Sequence, residues 1–133
     1  KLSPELRNEA LYYRAKAYTK QKADKKAMED YRELAKDTRN PYGAEAKYQV
    51  AQSLYDAKEY AAAEKELLNY IEQSTPHAYW LARSFVLLSD VYHATGKDLD
   101  ARQYLLSLQQ NYQGNDDIES MIESRLSKLK VEN

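Results

Sequence analysis

The chain has 133 residues, and none of them is cysteine. Without cysteine there is neither a disulfide framework nor a thiolate metal site, which leaves periplasm and cytoplasm equally open. No apolar run approaches the roughly 20 residues of a membrane span and no signal peptide is recognisable, so we expect no direct membrane span. The sequence begins at Lys1 rather than at a methionine, and we expect a mature product or a fragment of a longer protein.

An excess of charge of either sign is also lacking. Lys and Arg total 20 against 21 Asp and Glu, which gives a formal net charge of −1. Such a balance creates no overall field that attracts nucleic acid or an anionic membrane, so we expect no nucleic-acid partner. The basic segment from Arg14 to Lys26 is diluted by nearby acids, and we interpret it as a solvated corner.

Glycine and proline number three each, and they fall between periodic segments, as in an all-helical chain with short connections. Ser3-Pro4-Glu5 predicts a helix start, because serine caps helices well and proline suits the first helical position. Asn40-Pro41-Tyr42-Gly43 is predicted to form a turn, and Asn115 is predicted to cap the last helix. The predicted helices, seven in all, span about 4–20, 23–37, 44–57, 59–74, 77–95, 98–112 and 116–130.

Apolar residues at three- and four-residue spacing predict which helix faces are buried. The predicted buried stripe of the first helix consists of Leu6, Ala10, Tyr13, Ala17 and Tyr18. The predicted buried stripe of the last helix consists of Ile118, Met121, Ile122, Leu126 and Leu129. A single stripe on the last helix indicates an element that covers the end of a helical stack with one face and keeps the other in water.

Small residues recur in pairs that are 12 positions apart. The pairs are Ala15 with Ala27, Ala51 with Ala63, and Ser89 with Ala101. Small side chains at this spacing allow two helices to cross closely, so the pattern predicts three copies of one helical hairpin. Equivalent positions of successive copies lie 36 residues apart, from Ala15 to Ala51, and then 38 residues apart, from Ala51 to Ser89.

These positions resemble the tetratricopeptide repeat (TPR), whose period is about 34 residues. The first copy matches at Leu11, Ala15, Tyr18, Ala27 and Tyr31. The second matches at Val50, Ala51, Leu54, Ala63, Leu67 and Pro76, with Lys47 at the bulky first position. The third matches at Phe85, Leu88, Ser89, Tyr92, Ala101 and Leu105. Arg14 replaces the usual leucine of the first copy, and the third copy lacks the closing proline.

The resemblance implies an all-α fold, a right-handed α-solenoid of three TPR helix hairpins plus a C-terminal capping helix. The repeats would span about 8–41, 44–76 and 82–114, with the capping helix at 116–130, in one domain over residues 1–133. Segments such as AEAKYQVAQSLYDAKEYAAAEKELLNYI are similar to bacterial cell-envelope members of the family, of the outer-membrane assembly lipoprotein and Tol-Pal coordinator types. That similarity implies a periplasmic or cell-envelope scaffold, although this chain has neither a lipid-bearing cysteine nor an N-terminal coiled coil, and a cytoplasmic protein stays open.

The family binds partner segments in a concave groove lined by the first helix of each hairpin, which implies a protein or peptide partner here. Its groove positions correspond to Glu9, Tyr12, Lys16, Thr19, Glu45, Tyr48, Gln52, Tyr55, Arg83, Val86, Asp90 and His93. Tyr12, Tyr48 and Tyr55 are the predicted anchors, because a ring with a hydroxyl contributes contact area and a hydrogen bond. The alternative for each tyrosine is packing on the neighbouring hairpin.

Other kinds of site find little support. His77 and His93 lie 16 positions apart, and no pair has metal-chelating spacing, so we expect neither metal nor cofactor. No phosphate loop or nucleophilic triad is recognisable, and we expect no enzyme. The carboxylate clamp of chaperone-binding repeats is not expected either, because Lys16 and Arg83 supply two cations where the clamp has three.

Two hypotheses follow. The first is a scaffold that binds a partner segment in the concave groove, as part of a larger cell-envelope protein. The second is a structural segment that extends a longer solenoid or self-associates through its ends, with no ligand groove of its own. Leu2, Leu6 and Leu11 would form the apolar edge for such homo-association.

Overall fold

The computed structural model describes residues 2–73 and 75–129, and over these ranges it contains seven α-helices and no strand. The predicted all-α class is therefore confirmed. Within these ranges every helix is too short or too polar to span a bilayer. The helices are α1 (Pro4–Lys20), α2 (Asp24–Leu34), α3 (Pro41–Asp56), α4 (Tyr60–Glu72), α5 (Ala78–Ala94), α6 (Asp98–Asn111) and α7 (Ile118–Leu126). The predicted helix ends at 74 and 130 lie outside the described residues.

Helix packing is confined to near neighbours along the chain. Each helix contacts the next one, and each odd-numbered helix also contacts the next odd-numbered helix. The even-numbered helices make no contact with one another within the described ranges. The odd-numbered helices α1, α3, α5 and α7 therefore form a continuous row through the molecule.

The small residues predicted at the helix crossings are buried. Ala15, Ala27, Ala51, Ala63 and Ala101 have no exposed surface, and Ser89 has 1%. Larger side chains fill the space around them in three successive clusters, which include Tyr31 and Leu34, then Leu67 and Leu88, then Leu105 and Ile118. A side chain no larger than a methyl or hydroxymethyl group lets two backbones approach, and the larger neighbours then close around the crossing.

The three corners within the helix pairs share one backbone structure. Lys22, Lys58 and Gly96 have φ angles of 61°, 62° and 79°, and they follow one another at the same 36- and 38-residue spacing as the small residues. The amide of the residue after each one donates to a carbonyl five residues back, at 2.7 to 2.9 Å. This is the Schellman closure of a helix end, which satisfies carbonyl groups that would otherwise lack donors. At two of the three corners the residue with the left-handed backbone conformation is a lysine.

The predicted turn at Asn40 to Gly43 is wrong, because α3 already begins at Pro41. Asn40 is the N-cap, and its Oδ1 accepts a hydrogen bond from the Gly43 amide at 2.8 Å. A Cβ atom on Gly43 would overlap the carbonyl oxygens of Leu34 and Asp37. Glycine is therefore needed here for the close approach of α3 to the end of α2, and proline occupies the first helical position that its fixed φ suits.

The predicted cap at Asn115 is also wrong. α7 begins at Ile118, and the Oδ1 atom of Asp116 accepts from the Ile118 amide at 3.0 Å. The buried face of the helix agrees with prediction, since Ile118 and Ile122 are buried, with Met121, Leu126 and Leu129 half-buried beside them. This face packs against α5 and α6.

The predicted buried stripe of α1 is largely wrong. Leu6 is 53% exposed and Tyr13 59% exposed, Ala10 and Ala17 are exposed, and Tyr18 is half-buried. The buried side of α1 instead carries Leu11, Ala15 and Tyr18, which pack towards α2 and α3. Within the described ranges α1 contacts only these two helices, and its exposed apolar stripe belongs to none of the core clusters.

Candidate partner-binding groove

The twelve predicted groove residues all lie on the row formed by α1, α3 and α5. Four belong to α1, four to α3 and four to α5. The structure brings several of them together across the boundaries between these helices, and it separates or buries the others.

At the boundary between α1 and α3, three predicted residues form one polar cluster. The Tyr12 hydroxyl donates to Glu45 Oε1 at 2.8 Å, and Lys16 Nζ lies 3.6 Å from Glu45 Oε2. The Lys16 ammonium also lies 5.0 Å from the centre of the Tyr12 ring. Burial raises the pKa of the Tyr12 hydroxyl, and the hydrogen bond to Tyr12 raises the pKa of Lys16. The buried Glu45 carboxylate of α3 is thus held by a phenol and an ammonium from α1.

At the boundary between α3 and α5, Arg83 joins two tyrosines. Its Nη2 and Nη1 atoms donate to the hydroxyls of Tyr48 and Tyr79, each at 3.0 Å. The guanidinium also lies 4.8 Å from the centre of the Tyr48 ring and 5.6 Å from that of Trp80. The Tyr48 hydroxyl in turn donates to Gln52 Oε1 at 2.8 Å. Arg83 is therefore fixed by hydrogen bonds and by aromatic rings around its charge.

The two boundaries use the same positions of the repeat. Glu45 and Arg83 lie 38 residues apart, and Tyr12 and Tyr48 lie 36 apart, the same spacings that separate the copies. A tyrosine hydroxyl of one copy thus bonds a charged side chain of the next, first an acid and then a base. At the boundary between α5 and α7, Arg125 Nε and Nη2 donate to the Asp90 carboxylate at 3.2 and 3.3 Å. The polar side chains of the odd-numbered row therefore link its helices to one another.

Three predicted residues are buried rather than available to a partner, and one of them is Glu45, described above. Val86 is 2% exposed and packs with residues of α6 and α7. The prediction of Val86 as a groove residue is therefore wrong. It is buried because α7 covers the part of α5 where the groove would continue. Tyr48 is 6% exposed and belongs to the core cluster around Leu87 and Leu88. Tyr48 therefore follows the alternative given for each tyrosine, which was packing on the neighbouring hairpin.

The remaining predicted residues are dispersed. Tyr55 is half-buried, with its ring centre 5.6 Å from that of Tyr60, and burial raises the pKa of its hydroxyl. His93 Nδ1 lies 2.8 Å from Asp98 Oδ1 near the last corner. Glu9 and Thr19 are exposed, and the Thr19 hydroxyl donates to the Ala15 carbonyl at 3.0 Å.

An open cleft of about 610 Å³ lies between α1, α2 and α3. Three predicted groove residues, Lys16, Thr19 and Gln52, form part of its wall. The other lining residues are Lys20, Asp24, Met28, Tyr31, Gln49, Ser53, Asp56 and Ala57. Two lysines face two aspartates, so the cleft has no net charge, while its carboxamides and hydroxyls both donate and accept hydrogen bonds. Such a lining suits the peptide groups of an extended chain segment.

Two residues of this row were missed by the sequence reasoning. Trp80 packs against Tyr48, with ring centres 5.5 Å apart, and its only signal is that it is the sole tryptophan of the chain. Arg125 was assigned to a helix expected to act only as a cover. Its signal is its position beside the apolar stripe of α7, from which a long basic side chain can reach the neighbouring helix.

The described residues contain no group of three or more His, Asp or Glu side chains that could hold a metal ion. Comparison with protein-family models finds no match for this chain, and comparison with curated proteins finds none either. The resemblance to tetratricopeptide repeats therefore rests on the residues of the chain alone.

Proposed function

We propose that the chain is a protein-interaction scaffold, built as a right-handed α-solenoid of three TPR-type hairpins with α7 as the capping helix. In this proposal it binds an extended segment of a partner protein in the cleft between α1, α2 and α3. The cell envelope is the proposed setting, by resemblance alone.

Near-neighbour packing supports the solenoid. In stacked helical hairpins each unit contacts only its neighbours, and the first helices of successive hairpins line one side. Contacts between successive odd-numbered helices, together with none between even-numbered ones in the described ranges, agree with that arrangement. The three equivalent corners at Lys22, Lys58 and Gly96 point the same way, because they close each helix pair in the same manner.

The observation that carries the proposed function is the open cleft of about 610 Å³. Its walls come from three helices of two successive hairpins, and Met28 and Tyr31 provide apolar surface beside the polar side chains. A cleft of this size, with a few convergent polar groups on a mostly preformed frame, is typical of a binding site. The cleft is open, although Lys16, Gln49 and Gln52 in its wall also bond to neighbouring side chains.

A displayed random-peptide library, selected on the intact chain, tests the proposal. One selected peptide is labelled, and its affinity is measured by fluorescence polarisation for the wild type and for Thr19→Trp. The exposed Thr19 borders the cleft, so an indole ring at this position should fill the cleft and weaken the affinity for the peptide by more than about tenfold. Circular dichroism should stay at the wild-type level, since the substitution is on an exposed site.

Ala62→Trp is the matched control, because it adds the same ring at an exposed position of α4 that does not border the cleft. It should bind the peptide as the wild type does. The proposal fails if Thr19→Trp binds with unchanged affinity, if both variants weaken binding equally, or if the selection yields no peptide.

A further inference from the structure

One face of α1 is apolar and exposed. Leu2, Leu6 and Tyr13 are 53% to 60% exposed and are three of the four large hydrophobic side chains with high exposure in the described residues. Ala10 and Ala17, also exposed, lie between and beyond them. Residues 6, 10, 13 and 17 follow the helical period and form one stripe, which we call the α1 face. Exposed apolar patches of this kind mark sites of protein association.

The α1 face occupies the repeat positions by which α3 and α5 pack on the hairpins before them, since Ala10 corresponds to the buried Ala46 and Ser84, but the position beside the stripe differs. Val50 and Leu88 are buried there, whereas the equivalent position in α1 is Arg14, which is exposed and bonded to Asp30 at 2.7 and 2.8 Å. A hairpin stacked on α1 in the same way would have to cover this charged pair. The α1 face is therefore poorly suited to a further hairpin of the same stack.

The exposed side of α7, the last helix of the described residues, does not complement the α1 face. The outward side of α7 carries exposed polar residues, among them Glu119, Ser120, Glu123 and Ser124. Head-to-tail stacking of two copies would place the apolar stripe of α1 against these groups. A symmetric contact, in which the α1 face meets its own equivalent, avoids this mismatch.

The stripe is self-complementary in shape when two copies of α1 run antiparallel. With the two-fold axis between residues 11 and 12, Leu6 lies opposite Ala17 of the second copy, and Tyr13 lies opposite Ala10. Each large side chain thus meets a methyl group, which allows close helix packing. In a parallel arrangement the large side chains would meet each other.

The charges beside the stripe complement each other in the same arrangement. Glu5 and Glu9 lie in the first half of α1, and Lys16 and Lys20 lie in the second half on the same flank. An antiparallel pairing brings Glu5 near Lys20 of the second copy and Glu9 near Lys16. The opposite flank carries Arg7 and Arg14, which already pair with Glu33 and Asp30 of α2. The same register brings Arg7 near Arg14 of the second copy, and the two acids of α2 offset the charge of these arginines.

We infer that the chain forms a symmetric dimer in which the α1 faces of two copies pack antiparallel. A contact of one helix per copy is small, so we expect a dissociation constant of roughly 10 to 100 µM. Lys16 and Lys20 border both the dimer contact and the cleft between α1, α2 and α3, whereas Thr19 and the lining residues of α2 and α3 are not part of the α1 face.

Sedimentation equilibrium over a concentration series of the intact chain tests the dimer. The wild type should shift from monomer to dimer, and Leu6→Glu should raise the dissociation constant by at least about a hundredfold, since the symmetric contact loses two anchors. Leu99→Glu is the matched control, because Leu99 is 60% exposed and lies on α6, away from α1. It should dimerise like the wild type. Circular dichroism should show all three chains folded.

Charge exchange tests the register. Glu5→Lys should weaken the dimer, because it places two lysines together, and adding Lys20→Glu should restore it. The same swap leaves the stripe itself unchanged, so restoration reports the pairing of these two side chains.

Single cysteine variants test the orientation, and the native chain contributes no thiol. In the antiparallel dimer, cysteines at position 10 are offset along the helix axis by about 4.5 Å, whereas those at position 17 are offset by about 16 Å. A short bifunctional thiol reagent should therefore link Ala10→Cys chains efficiently and Ala17→Cys chains poorly.

The inference is overturned if the wild type stays monomeric up to about 1 mM, a concentration well above the expected dissociation constant. It is also overturned if Leu6→Glu dimerises as well as Leu99→Glu, if the charge exchange restores nothing, or if both cysteine variants cross-link equally. Peptide binding in the cleft should be the same for Leu6→Glu and the wild type, so failure of the dimer and failure of the proposed function are separately visible.

Discussion

Gly43 and Gly96 serve different physical purposes, and alanine substitutions should separate them. Gly96→Ala meets no atom within 4 Å, but it places a side chain at φ 79°, which should cost about 1 kcal/mol. Gly43→Ala would press a methyl group into the carbonyls of Leu34 and Asp37, which should cost about 3 kcal/mol. Urea unfolding of both variants measures the two free energies. Equal losses would contradict the close approach of α2 and α3.

Lys47 stands where the first and third copies have Leu11 and Phe85, and it pairs with Glu66. Its Nζ atom lies 2.7 Å from Glu66 Oε2, with side-chain exposures of 11% and 26%. Glu66→Gln should destabilise the protein by about 2 kcal/mol, because it leaves a nearly buried ammonium without its carboxylate. Lys47→Leu should cost less, since the more exposed Glu66 can be hydrated and leucine restores the apolar position. Urea unfolding compares the two, and the reverse order would contradict this account.

Tyr70 should make the protein sensitive to alkali. Burial raises the pKa of its hydroxyl from 10.0 to about 12, and the hydroxyl donates to the Ala44 carbonyl at 3.2 Å. As pH rises, the unfolded chain loses the Tyr70 proton before the folded protein does. The raised pKa therefore contributes about 2 to 3 kcal/mol to the free energy of unfolding below pH 10, and this contribution is lost as pH rises through 12. Tyr70→Phe should be less stable at pH 7 but should lose less between pH 10 and pH 12. Unfolding curves at each pH test this, and parallel pH profiles would refute it.

At the scale of elements, α7 should protect the end of the helical row. Removing residues 115–133 would expose the buried surface of Val86, Leu105 and Leu108, which Ile118 and Ile122 cover. We expect a lower melting temperature and increased binding of a hydrophobic dye. Arg125→Ala is the control, because it breaks the pair with Asp90 while keeping the apolar face, and it should have a smaller effect. A truncated chain with the wild-type melt and no dye binding would show that α7 is not a cover.

Most helices could be predicted from the sequence because their signals are local, whereas two of the corners could not. Ala51 and Ala63 predict a close crossing by size alone, and Ser3-Pro4 predicts a helix start through its own backbone chemistry. Asn40-Pro41 was misread because the same dipeptide initiates both turns and helices. Lys22 and Lys58 gave no signal for a left-handed corner, since lysine is uncommon there.

At the scale of the whole molecule, the predicted site failed wherever burial depends on a distant element. Val86 is buried because α7 covers α5, and no pattern within α5 contains that information. Leu6 and Tyr13 are exposed although their spacing is that of a buried stripe, because no described helix faces them. Helical periodicity identifies an apolar face, but the neighbours of that face decide whether it is core or surface.

Near-neighbour packing has a consequence for how the chain moves. Because each described helix touches only helices one or two places away, every stabilising contact closes a short loop, and folding should be fast for a chain of this length. Opening should begin at the ends, since α1 is supported from one side while α3, α4 and α5 are enclosed by neighbours. Amide hydrogen exchange should therefore be slowest in the middle three helices and faster in α1, and raising the protein concentration should slow exchange in α1 selectively if its apolar face pairs with a second copy.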